Sequence, residues 1–338
     1  MLSGSRSPTT NFNMQYSLFP KTKKKVSKLG FGAFGLKGVF GSFDETEAIG
    51  AMHYCWDQGV NFLDTARHYG ESERIVGKAL KSWSGDAPFL ATKAECIGPV
   101  RQWGIPLDVE ACFPKGHITR EAENSLKELG VESIDLFQMH LYWPNWGVEG
   151  YWLDELNALQ EQGKVGAIGV SMPDQRHDAA LPLVLSGRIQ SVQAVFNIFD
   201  PTPLDCLIPI CAENEVAVLA RCVLDEGGLT GFLSQETAFA EDDFRANYFD
   251  QGPRDLYLEK VGGLRKFLPE HAGSLASLAL KFVTMHPGVT TALSSMNIRE
   301  HAEANVAAME EEPLSDEVFT EIRFYHRWIH NFYSGKSL

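Results

Sequence analysis

The chain has 338 residues, 44% hydrophobic and 22% charged, with 44 acidic and 30 basic side chains for a formal net charge of −14. These are globular proportions that exclude collagen-like, coiled-coil and disordered chains, and no apolar run reaches the roughly 18 residues of a membrane span. An acidic balance also argues against a nucleic-acid partner, whose binding rests on cations against phosphate, and it favours solubility.

Residues 1–13 are polar and lack the apolar core of a signal peptide, so they read as a tail ahead of one domain, 14–338. Met14 to Phe19 and Val26 onward flank a turn containing Lys21, Lys23, Lys24 and Lys25, which reads as a hairpin with a charged tip. From Lys28 onward, short Val/Ile/Phe/Leu runs alternate with segments of helical period. The strands are expected at Leu29 to Phe34, Asn61 to Thr65, Pro88 to Lys93, Ile134 to His140, Val165 to Ser171, Ser191 to Asn197, Val216 to Val223 and Val289 to Ser294. Asp44 with Glu47 has the pattern of a capping box, and Gly130 and Gly163 are expected helix stops. A stretch from the seventh strand to about Leu258 breaks the rhythm and is expected to be a lid or binding loop. Ser315 to Tyr333 is expected to form a further helix near the mouth.

Eight strand–helix units predict a single (β/α)8 TIM barrel with an N-terminal β-hairpin and an extra C-terminal helix. No G-x-G-x-x-G follows the first strand, which weighs against a doubly wound dinucleotide-binding sheet. Six cysteines show neither C-x-x-C nor zinc spacing and fit a reducing, cytoplasmic setting.

The polar residues cluster where a barrel keeps its chemistry, at the strand C-terminal ends. Strand two ends in Asp64 and leads to Tyr69, strand three ends in Lys93, and strand four ends in His140. Each alone has an ordinary reading as a cap, a solvated cation or a core histidine. Together, in order on three consecutive strands, they can build a proton donor. An ammonium beside a phenol favours phenolate and lowers a pKa that is near 10 when free. A carboxylate keeps the ammonium charged, and a neutral imidazole can orient a carbonyl oxygen.

At these residues the chain resembles the aldo-keto reductases. Gly59-Val60-Asn61-Phe62-Leu63-Asp64-Thr65-Ala66 with Tyr69-Gly70-Glu71-Ser72-Glu73 is similar to that family's first signature. Gly163-Lys164-Val165 leading to Ile168-Gly169-Val170-Ser171 is similar to its second. The resemblance implies Tyr69 as general acid/base, Asp64 and Lys93 as its tuners, His140 as substrate orienter, and a nicotinamide cofactor without metal. It implies NADP by family habit, with NAD as the alternative, and a small-molecule carbonyl or sugar substrate.

By the same resemblance Ser171 and Gln193 hold the carboxamide, although Met172 stands where the family often has Asn. Asn197 belongs to a recurrent run. The segment Arg221 to Gly231, with Cys222, Leu224 and Glu226, resembles the pyrophosphate loop. Arg221 replaces an aromatic residue that stacks on nicotinamide. It can stack as a plane or pair internally with Asp225 or Glu226. At the adenosine end the usual basic positions read Ser295 or Asn297, which leaves Arg299 and His301 as 2′-phosphate candidates and Asn305 near the adenine. Phe34, Trp103, Tyr142 and Trp143, with Trp146, are expected as a substrate wall able to stack on a sugar. Arg245, Asn247 and Tyr248 are expected as a clamp.

The resemblance leaves two alternatives to a carbonyl reductase: a sugar dehydrogenase working mainly oxidatively, and a cofactor-binding regulatory subunit like the potassium-channel β subunits. A metal-dependent barrel hydrolase would need converging ligands that the spacing of His53, His68 and His140 does not supply.

Overall fold

The alternation closes on itself. A computed structural model describes residues 14–98, 107–250 and 253–328. β1 (Tyr16–Leu18) and β2 (Lys25–Ser27) form an antiparallel hairpin. Eight parallel strands follow: β3 (Leu29–Gly32), β4 (Phe62–Asp64), β5 (Phe89–Glu95), β6 (Ile134–His140), β7 (Val165–Ser171), β8 (Ser191–Val195), β9 (Ala217–Arg221) and β10 (Thr291–Ser295). They pair in sequence order, and β10 closes on β3 with Ala292 opposite Leu29 and Ser295 opposite Gly32. All strand C-termini therefore share one rim.

Period-two alternation sorts the strand residues. Phe62, Phe89, Leu136, Ala167, Ala217, Leu219 and Leu293 cluster with Phe19 and Val26 of the hairpin. Their neighbours Leu63, Leu90, Phe137, Ile168 and Ala220 join the larger core shared with the helices. The hairpin thus plugs the N-terminal end of the barrel: Phe19 stacks on Phe89 at 4.9 Å, and Phe89 on Phe62 at 5.0 Å. Asn61 begins ahead of its strand because its side chain holds the plug, accepting from Ser27 N at 2.7 Å and donating to Lys25 O at 3.0 Å. The charged tip is spent on surface pairs, Lys24 with Asp135 and Lys23 with Glu215, which contribute little to stability.

The helices start and stop for local reasons. Asp44 caps Glu45–Asp57 by accepting from Glu47 N at 2.8 Å. Gly130, at φ 68, ends His117–Leu129, its N–H returning to Leu126 O and Lys127 O. A reciprocal capping box forms at Ser274 and Ser277, opening Leu275–Thr284. The stretch after β9 is not a bare loop. It carries the 3-10 turn Asp225–Thr230 and the helices Phe244–Asp250 and Arg254–Leu264. The C-terminal helix Asp316–Tyr325 is capped by Ser315. Its Phe319 stacks on Phe282 at 4.8 Å, and the chain beyond it brings Trp328 to the mouth, donating from its backbone to Phe199 O at 2.8 Å.

The plug gives a stability prediction. Phe19→Ala should cost about 3–5 kcal/mol, read as a lower urea midpoint with unchanged slope. A loss under 1 kcal/mol would mean that the hairpin is not part of the cooperative core.

Candidate active site

At the open rim, β4 and β5 run side by side with Asp64 opposite Ala91. Lys93 lies two residues further along β5, on the same face as Ala91, and its side chain is fully buried. Its Nζ donates to Asp64 Oδ2 at 2.5 Å, Thr65 O at 2.9 Å and Tyr69 Oη at 3.3 Å. Asp64 Oδ1 accepts from Gln193 Nε2 at 2.9 Å and Gln138 Nε2 at 3.4 Å. Tyr69 sits in the short turn Arg67–Tyr69. That turn is anchored where Ser72 Oγ meets Thr65 Oγ1 at 2.8 Å and donates to Ala33 O at 3.2 Å. The His140 ring, at the end of β6, stands edge-on to Tyr69 at 5.7 Å. All four expected residues meet in one place.

Their electrostatics depart from expectation at one point. Burial pushes the Tyr69 phenol above its ordinary value, and the opposing pull of Lys93 does not overcome it. The expected lowering is therefore reversed in net direction. Burial also works against charge on Lys93, but Asp64 and Tyr69 outweigh it and hold the ammonium above its usual range. Burial, followed by the positive charges of Lys93, His68, Arg221 and Lys37, drives His140 well below the usual histidine value. At neutral pH the set is a neutral phenol, an ammonium and a neutral imidazole.

These groups open into a cavity of about 740 Å³ that runs from Tyr69 and His140 past Arg221 to Ser294, His301 and Asn305. Gln193, Cys222, Leu224 and Glu226 also line it. Ser171 is buried beside Gln193 in the sheet and is not part of the wall. Asn305 Nδ2 donates to Ser294 Oγ at 2.9 Å. Arg221 does not pair with Asp225 or Glu226. Its Nη2 reaches the Asp174 carboxylate and Met172 O, and its Nη1 reaches Cys222 Sγ at 3.3 Å. Asp225, Glu226 and Gly227 have φ of 50°, 54° and 94°. Two amides of this left-handed run close the turn itself, Asp225 N–H on Cys222 O at 2.9 Å and Gly227 N–H on Leu224 O at 3.0 Å. Arg299 lies outside the cavity wall, with Nε on Glu303 at 2.6 Å and its guanidinium 3.8 Å from the centre of the Tyr54 ring.

The expected substrate wall is only partly present. Phe34 lines the cavity and meets Tyr69 edge-on at 5.1 Å. Tyr142 and Trp143 are buried off it. Tyr142 Oη donates to Gly147 O at 3.1 Å, and its ring packs on Trp146 and Trp152, which turns it toward the helix Tyr151–Glu161 and away from the mouth. Trp103 lies outside the described residues, as does the side chain of Asn247. Arg245 clasps Asp243 and Phe40 O, and Tyr248 donates to Asp225 Oδ1 at 2.5 Å. Sequence reasoning missed Phe40, Phe232 and Phe244, which complete the aromatic side. It also missed Asp174, whose place two residues beyond Met172 after β7 was the available signal.

A barrel with a phenol, a buried ammonium and an imidazole at the mouth of a long cavity is built for carbonyl oxidoreduction. The chain belongs to the aldo/keto reductase family: the model described as "Aldo/keto reductase family" matches residues 28–325, and the chain is accordingly an oxidoreductase. It is 32% identical over 288 residues to the aldo-keto reductase YhdN of Bacillus subtilis, covering 83% of this chain and 84% of that one. It is 27% identical over 302 residues to the NADH-specific methylglyoxal reductase of Escherichia coli, covering 84% and 90%. The solved glycerol dehydrogenase of Gluconobacter oxydans superposes with a TM-score of 0.73 at 25% identity, covering 94% of this chain and 96% of that one. The family uses nicotinamide cofactors on small-molecule carbonyls. Among the described residues no helix is long and apolar enough to cross a membrane.

Lys93→Met should leave Asp64 buried and unpaired and cost about 3–5 kcal/mol in urea unfolding. Asp64→Asn combined with Lys93→Met should recover much of that loss. A double variant no more stable than the single one would mean that the pair is not what the surrounding strands accommodate.

Proposed function

We propose that this protein reduces a small-molecule carbonyl to its alcohol with a nicotinamide cofactor, Tyr69 acting as the proton donor. The observation that carries the reading is Lys93 Nζ held between Asp64 Oδ2 at 2.5 Å and Tyr69 Oη at 3.3 Å, at the edge of the cavity. When bound, a reduced nicotinamide would supply the hydride. Neutral His140 hydrogen-bonds the carbonyl oxygen and aims it at Tyr69. Tyr69 Oη gives its proton to that oxygen, and the phenolate left behind faces the Lys93 ammonium, which Asp64 keeps charged. A phenol raised by burial starts in its protonated form.

The residues present fit the cofactor. The turn at Asp225, Glu226 and Gly227 lines the cavity where a pyrophosphate would lie, and the buried Ser294–Asn305 pair offers polar edges to an adenine. Arg221 is the reading for the nicotinamide floor, with Gln193 and Ser171 nearby. The choice between the two dinucleotides turns on Arg299. Its pairing with Glu303 and its seat on Tyr54 leave His301 as the candidate cation among the described residues at that end. This supports NADH over the NADPH that family habit implies. Phe34 is the substrate wall in this reading. Six free cysteines support a cytoplasmic setting.

Tyr69→Phe should lower kcat by about 10²–10⁴-fold while leaving the cofactor Kd within twofold. Retained turnover would overturn Tyr69 as donor. The wild-type reduction rate should be flat through neutral pH and fall only in the alkaline range, above the ordinary tyrosine value, as the donor loses its proton. A fall centred near pH 7 would assign the donor elsewhere. Arg299→Ala should leave the NADPH-to-NADH preference unchanged, and Ser295→Arg should move it toward NADPH, both read from kcat/KM. A collapse of NADPH use in Arg299→Ala would restore the original expectation.

A further inference from the structure

In the closed order of the barrel, β9 stands opposite β5. Arg221, at the end of β9, therefore stands on the rim across from the strand of Lys93, and it lines the cavity. Three acceptors take its edges: Met172 O at 3.0 Å, the Asp174 carboxylate and Cys222 Sγ at 3.3 Å. Guanidinium N–H bonds lie in the plane of the group, so these contacts fix that plane and leave a flat cationic face for whatever lies on it. Burial opposes the charge, but Asp174 and Cys222 hold it on. The field of this cation reaches both reacting groups, favouring neutral His140 and pulling against the burial of Tyr69.

In the nicotinamide reading above, the hydride donor would lie on the flat face of Arg221, which lines the same cavity as Tyr69 and His140. A nicotinamide ring there is neutral when reduced and cationic when oxidised. We propose that Arg221 makes the site charge-selective, so that it holds reduced nicotinamide dinucleotide more tightly than oxidised, with Asp174 limiting the difference. The inference rests on the nicotinamide reading above. Cation–cation repulsion at ring-stacking distance is strong in a partly buried site, and the adjacent carboxylate takes part of it back. A net preference of about tenfold or more is expected, which corresponds to about 30 mV in the two-electron potential of the bound couple. Such a preference sheds oxidised cofactor after turnover and relieves product inhibition where that form is in excess.

The test is binding. The full chain is titrated with NADH, NAD⁺, NADPH and NADP⁺ and followed by calorimetry and by quenching of tryptophan fluorescence. The reduced form of each pair should bind about tenfold tighter or more. Arg221→Gln should bring the ratio within about threefold, chiefly by tightening the oxidised form. Arg221→Lys should keep much of the preference, and Asp174→Asn should widen it. The last two variants carry the test if Arg221→Gln fails to fold by circular dichroism. A wild-type ratio near one, or a ratio unmoved by both Arg221→Gln and Asp174→Asn, would overturn the proposal while leaving the cofactor reading intact. If none of the four dinucleotides binds, the cofactor reading falls and this inference with it.

Discussion

The site depends on one buried ammonium. Lys93 is wholly enclosed, and an enclosed –NH₃⁺ has three donors to place. They go to a carboxylate, a backbone carbonyl and the Tyr69 hydroxyl. Two of those acceptors come from the end of β4, fixed by its register with β5, so the third direction determines where a phenol can stand. Buried ion pairs seldom repay their desolvation in stability. This one is better understood as a positioning device. The Asp64 carboxylate is steadied from the far side by Gln138 on β6 and Gln193 on β8, so four strands converge on it.

Such a polar centre requires the remainder of the barrel interior to be dry. The hairpin provides that by stacking Phe19 on Phe89 and closing the N-terminal end. With that end packed by aromatic rings, the described cavity opens at the rim, where the strand C-termini present their charged groups. The low dielectric behind Lys93 also decides the state of Tyr69. Burial weighs more on the phenol than the ammonium does, so the residue is stored as an acid and becomes a phenolate only when its proton has somewhere to go.

The strands, the hairpin and the four central residues were legible in the sequence because each follows from a local rule. Alternation marks a strand, and a strand's last residue faces the rim whatever its neighbours do. Side chains in the connecting segments obey no such rule. Tyr142 and Trp143 belong to a rim loop by sequence, yet Trp146 and Trp152 draw Tyr142 inward, a choice made by packing. Arg221 could be placed at a strand end, but its partner Asp174 follows β7, two strands away, and sequence adjacency pointed to Asp225 and Glu226. The segment after β9 hid its helices because they interrupt the strand–helix rhythm with no strand between them.

An acidic chain that receives a polyanion has to manage its own carboxylates as well as its cations. Two of them, Asp225 and Glu226, stand in the left-handed turn that lines the cavity beyond Arg221. Both oxygens of Asp225 are taken, since Tyr248 donates to one at 2.5 Å and Tyr257 to the other at 2.7 Å. Those two tyrosines come from the helices that break the rhythm after β9, which gives that segment a physical purpose: it fixes the orientation of an acid at the cavity wall. Glu226 is treated differently. Burial, then its neighbours Asp225 and Asp174, push its carboxyl up to about 7 against the hydrogen bond from Cys222 Sγ and the pull of Arg221. A group poised there carries only part of its charge at neutral pH and can shed the rest as an anion approaches. The nearby cations Arg221, Arg245 and Arg299 are each bound to a carboxylate of their own.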